Sequence, residues 1–153
     1  MWQKLYHWAM RMRSSVFAAA GLMFLGTLAV SARQEPQPKA NPNGWSLPAN
    51  ADEEKNPFAG DEKAVAAGKV LYEKTCKKCH GPGGKGDGPD ADPDSMQDMD
   101  LTNPKRAARN VDGIVFYKIW NGRKKPKMPA QKDELTKDQV WQIVSFAQTL
   151  RQK

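Results

Sequence analysis

The chain has only two cysteines, and they stand three positions apart. One of its two histidines follows directly, in the stretch Thr75-Cys76-Lys77-Lys78-Cys79-His80-Gly81. Any fold must bring this stretch against whatever its three reactive side chains serve, which constrains the chain more than any other feature. Two cysteines at this spacing suit a redox dithiol, half of a metal site, a very small disulfide ring or the anchor of a prosthetic group.

Which partners are available depends on how much of the chain belongs to the folded domain. Residues 1–13 carry Lys4, Arg11 and Arg13 and no acid, residues 16–30 form an apolar run, and Val30-Ser31-Ala32 supplies small residues after it. That order is expected for a secretory signal over residues 1–32. The alternative is an uncleaved membrane anchor, although the run is shorter than the ~20 residues a spanning helix needs. No cysteine lies near the cut, so a lipid-modified cysteine is excluded. In either case the domain is expected outside the cytoplasm, periplasmic or anchored facing the periplasm. Removal of residues 1–32 takes away three basic residues and no acid, lowering the formal charge from +7 to +4. It also removes His7, Met1, Met10, Met12 and Met23. His80 is then the sole histidine, and Met96, Met99 and Met128 are the remaining methionines.

Residues 33–57 hold five of the eleven prolines and few apolar side chains. Such a composition buries little surface, and the segment is expected to be an extended, mobile linker. Trp45 within it reads as an exposed aromatic. A single domain is then expected over residues 58–153.

Three helices are predicted in it. The first spans about 61–74, with Val65, Gly68, Leu71 and Tyr72 at helical spacings. Gly68 costs up to ~1 kcal/mol inside a helix, so it points to a close approach by another element. The second spans about 111–120, with Asn110 as N-cap, Ile114, Val115 and Ile119 as its apolar stripe, and Asn121-Gly122 as its stop. The third begins at a capping box of Thr136 and Gln139 flanked by a staple of Leu135 and Val140. Val140, Ile143, Val144 and Ala147 then follow at i, i+3, i+4 and i+7. No segment alternates with period two, so the fold class is all-α.

An all-α domain lacks the strand-to-helix turn of a thioredoxin-type dithiol. Tetrahedral zinc needs four ligands, usually two separated pairs, and no second pair exists. Closing a four-residue disulfide ring adds little stability. Covalent haem attachment uses all three residues: two thiols three positions apart add to the two vinyl groups of one porphyrin, and the adjoining imidazole reaches the iron. Cys76 and Cys79 are therefore the expected attachment points of one haem c, and His80 an expected iron ligand.

An electron-transfer haem also takes a second axial ligand, whereas a ligand-binding haem keeps that position open. With no other histidine in the domain, a thioether is the natural candidate. Met128 lies between the second and third helices in Lys124-Lys125-Pro126-Lys127-Met128-Pro129, where Pro129 biases it away from helix. It is the expected ligand; Met99 and Met96, in the acidic stretch before the second helix, are the alternatives.

Taken together, Gly68 and Tyr72, the CKKCHG motif, Gly86-Asp87-Gly88-Pro89, Met128-Pro129 and Ile143-Val144-Ser145-Phe146 resemble a class I c-type cytochrome of the bacterial monohaem type. The likeness covers about residues 58–153. It implies a cytochrome c fold of three to four helices around one haem, with the first and last helices crossing at Gly68/Tyr72 and Ile143/Phe146. It also implies that a proline carbonyl holds the Nδ1 proton of His80, with Pro89 the first choice and Pro82 the second. The implied function is one-electron transfer as the iron cycles between Fe(III) and Fe(II), by a carrier rather than an enzyme. The alternatives are a haem subunit of an oxidoreductase complex and a haem ligand-binding sensor.

Six acids and no base lie between Asp87 and Asp100, whereas Lys118, Arg123, Lys124, Lys125 and Lys127 gather toward the Met128 loop. The basic group is expected to dock redox partner proteins, a membrane oxidase or reductase or a periplasmic dehydrogenase. Nucleic acid is not an expected partner, and a membrane is one only if the N-terminus stays uncleaved.

Overall fold

A computed structural model describes residues 39–40 and 44–152. The expected signal or anchor segment lies outside the described residues. Within them no helix is long and apolar enough to cross a membrane.

Asp61 sits in extended conformation and its carboxylate accepts from the amides of Lys63 and Ala64, so helix α1 starts at Glu62 and runs to Thr75. The next turn is α2, Lys77–His80, which carries the second cysteine and the histidine. Two short helices follow, α3 (Met96–Met99) and α4 (Pro104–Ala107). Helix α5 covers Asp112–Asn121 and α6 covers Lys137–Thr149. The capping box expected at the start of α6 is present in both directions: Thr136 Oγ1 accepts from the Gln139 amide, and Gln139 Oε1 accepts from the Thr136 amide. A small antiparallel pair, β1 (Lys39–Ala40) with β2 (Ser46–Leu47), is the only sheet among the described residues. The all-α expectation holds in substance.

The core is set by α6, whose Val140, Ile143 and Val144 are essentially inaccessible. Each such side chain contributes roughly 1.5–3 kcal/mol by leaving water. One face of α6 meets α1. A Cβ built on Gly68 falls 1.9 Å from the Gln142 carbonyl oxygen, so the two backbones touch where the first and last helices cross. One turn on, the Tyr72 and Phe146 rings pack with centroids 5.1 Å apart. The other face meets α5, where Phe116 stacks on Trp141 at 4.3 Å.

Helix α5 departs from expectation in two ways. Its buried positions are Gly113, Phe116 and Ile119, whereas Ile114 and Val115 are only half-buried. The helix is gripped on two sides, by α6 and by residues 51–54, and the aromatic Phe116 takes the central place. Its N-cap is Val111, which makes no side-chain cap. The Asn110 amide instead donates to the Arg106 carbonyl at 2.6 Å, and its Oδ1 accepts from Lys118.

The expected linker is not a free segment where the structure describes it: Lys39–Ala40 pairs with Ser46–Leu47, and residues 44–57 pack on the helices. Leu47 and Ala51 are buried there, as is Asn56. Asn56 Nδ2 donates to Ser145 Oγ at 2.8 Å and to the Trp141 carbonyl at 3.3 Å, tying the segment to the middle of α6. Tyr117 donates to Glu54, and Asn121 donates to the Ser46 carbonyl. A polar, proline-rich segment orders here because hydrogen bonds to partners far along the chain replace the apolar surface it lacks. Asn56→Ala should therefore cost about 1–3 kcal/mol, the usual penalty for orphaning a buried polar group. Urea denaturation checks this, with no change expected for the exposed Lys55→Ala.

Candidate functional site

Helix α1 ends where Cys76 begins the motif. Thr75 Oγ1 donates to the Leu71 carbonyl and lies 3.3 Å from Cys76 Sγ, and the Tyr72 hydroxyl donates to the Gly81 carbonyl at 2.7 Å. These bonds fix both ends of the α2 turn to α1. Burial raises the Tyr72 hydroxyl pKa well above its ordinary value. No disulfide joins Cys76 and Cys79. Burial pushes the Cys76 thiol up to about 11, with Cys79 adding to the shift and the Thr75 bond opposing it.

His80 Nδ1 lies 2.7 Å from the Met99 carbonyl oxygen. A carbonyl only accepts, so Nδ1 carries the proton and Nε2 keeps its lone pair for a metal. Burial lowers the His80 pKa, partly offset by this bond, which keeps the ring in the neutral form that ligates. The holding carbonyl is thus that of Met99, not of Pro89 or Pro82, both of which are exposed. The reason lies in the loop after the motif. The amides of Gly86, Gly88 and Asp90 donate to the His80, Cys79 and Lys78 carbonyls. The loop therefore folds back on the end of α2 and leaves Pro89 outside. Met99 ends α3, where a last-turn carbonyl has no partner within the helix.

Met128 is placed by a tight return of the chain. Arg123 and Met128 exchange two backbone hydrogen bonds, at 2.8 and 2.9 Å. Gly122, at φ +62°, ends α5, and a Cβ there would meet the Met128 carbonyl oxygen at 2.4 Å. The Met128 side chain is half-buried against the α5–α6 core. Cys76, Cys79, His80 and Met128 line one solvent-connected cleft. Tyr72, Leu101, Val115, Ile119, Ile143 and Ala147 supply much of its apolar wall, and Trp45, Arg106, Lys118 and Arg123 form a cationic edge. Met99 also lines the cleft, and its carbonyl holds the His80 ring. Met96 is 43% exposed and does not line it.

The donor set fits haem c. Cys76 and Cys79 would take the thioether links, His80 would give Nε2 to the iron, and the apolar walls would receive the porphyrin.

Two side chains expected on the docking surface are turned inward. The Arg123 side chain is 9% exposed, with its guanidinium 4.4 Å from the Trp45 ring centroid. Lys118 is half-buried, its ammonium 5.0 Å from the same centroid. Lys124, Lys125 and Lys127 remain exposed. Trp45 is thus no isolated surface aromatic. It is a wall of the cleft, which a lone tryptophan in a polar segment does not reveal.

A family model described as cytochrome c matches residues 65–151. Among solved structures, cytochrome cL from the marine methylotrophic bacterium Methylophaga aminisulfidivorans MPT aligns with a TM-score of 0.50 at 24% identity, over 62% of this chain and 60% of that one. A chain of the Kuenenia stuttgartiensis reducing HAO-like protein complex aligns with a TM-score of 0.49 at 29% identity, over 61% of this chain and 46% of that one. The chain therefore spans less than two thirds of either. A comparison with curated proteins found no match. With the CxxCH turn, the crossed first and last helices and the family model in agreement, the chain belongs to the cytochrome c family, whose members bind haem c covalently and transfer electrons through its iron.

Proposed function

We propose that this protein is a periplasmic one-electron carrier whose haem iron is held between His80 and Met128. The ligand assignment is supported by Met128 lining the same cleft as His80 and both cysteines, while Met99 is engaged there through its carbonyl on His80 Nδ1. When bound, the haem supplies a one-electron Fe(III)/Fe(II) couple, and His/Met ligation favours a high potential.

The chain's own residues do the rest. The Met99 carbonyl orients the imidazole through Nδ1. The Arg123–Met128 return holds Met128 in a loop fastened at both ends, packed against the α5–α6 core. This rigidity suits a centre that changes charge with little rearrangement.

Export is supported by the charged start, short apolar run and small-residue exit of residues 1–32, and by the attachment motif. N-terminal sequencing of the haem-bearing protein tests it: a start near residue 33 fits cleavage, and an intact Met1 indicates an anchor.

Docking falls to the exposed Lys124, Lys125 and Lys127, next to the Met128 loop. Electrostatic attraction raises association rates by 10-fold or more at low salt, and it fades as the Debye length drops below about 10 Å above 0.1 M. Replacing all three lysines by glutamate should slow oxidation by the anionic probe ferricyanide about tenfold at low ionic strength, measured by stopped flow. The gap should close at high salt, and a cationic cobalt complex should show the opposite sign. Equal slowing with both probes would show that the lysines act on the fold and not on docking.

A further inference from the structure

Helix α5 is gripped on two sides, and one of them lies outside the family-matched residues 65–151. The inner side is α6, against which Phe116 stacks on Trp141. The outer side is the segment 44–56, which touches the helix at three levels. At its start, a Cβ built on Gly113 would fall 2.0 Å from the Ala51 carbonyl oxygen and 2.9 Å from Glu54 Cβ. In the middle, Tyr117 donates to the Glu54 carboxylate. At its end, Asn121 Nδ2 donates to the Ser46 carbonyl at 2.7 Å. The far end of the segment is fastened to α6, where Asn56 donates to Ser145 and to the Trp141 carbonyl.

These contacts lead to the loop that carries Met128. Asn121 is the last residue of α5, and Gly122 turns the chain into the Arg123–Met128 return. The return is closed by the two backbone hydrogen bonds between these residues, and its Lys124, Lys125 and Lys127 are exposed. A short exposed loop of this kind opens locally at far lower cost than the core unfolds. The segment meets it twice, at the Asn121 hinge and beside Lys125, whose carbonyl oxygen would lie 3.8 Å from a Cβ on Gly44.

We propose that residues 44–56 are a strap that holds the Met128 loop shut, with Asn121 and Gly113 as the positioning residues through which it acts. Its consequence for the iron rests on Met128 being the ligand. A loop held shut keeps the thioether in place in both oxidation states and denies small ligands the sixth position. That separates a carrier from a ligand-binding haem protein, which needs this position open.

Two variants loosen the strap in different ways. Asn121→Ala removes the bond to Ser46. Gly113→Ala puts a methyl group where the Ala51 carbonyl lies, so the strap must lift. Both place the better helix former in α5, so a looser loop cannot arise from a weaker helix. The full-length haem-bearing protein is followed by two measurements. Native-state hydrogen exchange reads the Arg123 and Met128 amides, with the Ile143 and Val144 amides of α6 reporting global unfolding. Stopped flow reads saturating imidazole as it replaces the thioether on the oxidised iron, one neutral donor for another with no electron transferred.

Both variants should speed exchange of the loop amides and entry of imidazole about tenfold, the scale of one lost hydrogen bond. A segment that serves overall stability alone would speed the α6 amides and leave the loop amides at wild-type rates, because local opening would not break its contacts. That result overturns the strap, and Asn121→Ala decides it even if Gly113→Ala fails to fold. Faster loop exchange with unchanged imidazole entry supports the strap and overturns the Met128 assignment instead.

Discussion

Met128→Leu is expected to abolish the sulfur-to-iron charge-transfer band of the oxidised protein and to lower its midpoint potential by on the order of 0.1 V or more. Axial ligands set haem potentials over a span of about 0.8 V, and loss of a thioether acts in the lowering direction. Leucine is the informative replacement because Met128 also packs on the α5–α6 core. A volume-conserving swap costs less than about 1.5 kcal/mol, whereas Met128→Ala adds a cavity and about 2–5 kcal/mol. A spectral change common to both variants, with stability lost only in alanine, isolates the sulfur from the packing. Met99→Leu is the control, since Met99 also lines the cleft. Its backbone carbonyl holds His80 Nδ1, and with Met128 as the ligand the band should survive. If the band persists in Met128→Leu and vanishes in Met99→Leu, the ligand is Met99.

The largest expected effect on stability belongs to Gly68→Val. A Cβ at this position lands 1.9 Å from the Gln142 carbonyl oxygen, 2.5 Å from its carbon and 3.1 Å from the Ile143 nitrogen. All three are backbone atoms of α6, so no side chain can turn aside and the two helices must separate. That strips packing from Ile143 and from the Tyr72–Phe146 pair together. Even Gly68→Ala, which gains up to ~1 kcal/mol of helix propensity, should lose more than that to overpacking, typically 1–3 kcal/mol. For valine a loss of about 3 kcal/mol or more is expected. At roughly 4–8 °C per kcal/mol for a domain of this size, Tm should fall by about 12 °C or more. Thermal unfolding followed by far-ultraviolet circular dichroism measures it. A shift within a few degrees of wild type would show that the crossing yields more readily than its geometry implies.

The sequence singled out these two positions for different reasons, and the structure places Gly68 at the helix crossing and Met128 in the cleft wall. Gly68 broke a helical pattern at a cost that only close packing repays, and the structure supplies the packing partner. Met128 stood out through scarcity, as one of three thioethers left after the N-terminal segment and the only one beside a proline-rich return. The starts of α1 and α6 were equally local. Asp61 and the Thr136–Gln139 box are short-range devices, and each starts its helix as the residues dictate.

What failed depended on contacts across the chain. The His80 partner was sought in the prolines that follow the motif, but that loop spends its amides on the carbonyls of α2 and turns Pro89 to solvent. The free carbonyl comes from Met99, whose place is set by the end of α3. Residues 44–57 have the composition of a linker, yet Asn56 finds Ser145 and Trp141 far along the chain. Trp45 follows it and finds two cations. Lys118 and Arg123 counted as surface charge only because a sequence does not show which charges a segment upstream will cover.

The sequence by itself determined the chemistry of the attachment turn. The geometry of Cys76, Cys79 and His80 is set within two turns of backbone, and the caps of α1 and α6 are equally short-ranged. The tertiary structure alone decided which carbonyl holds the imidazole, which cations leave the surface, and that an N-terminal segment walls the haem cleft. Those are matters of long-range packing, where a single carbonyl or ring is chosen by what the rest of the fold has left unpaired.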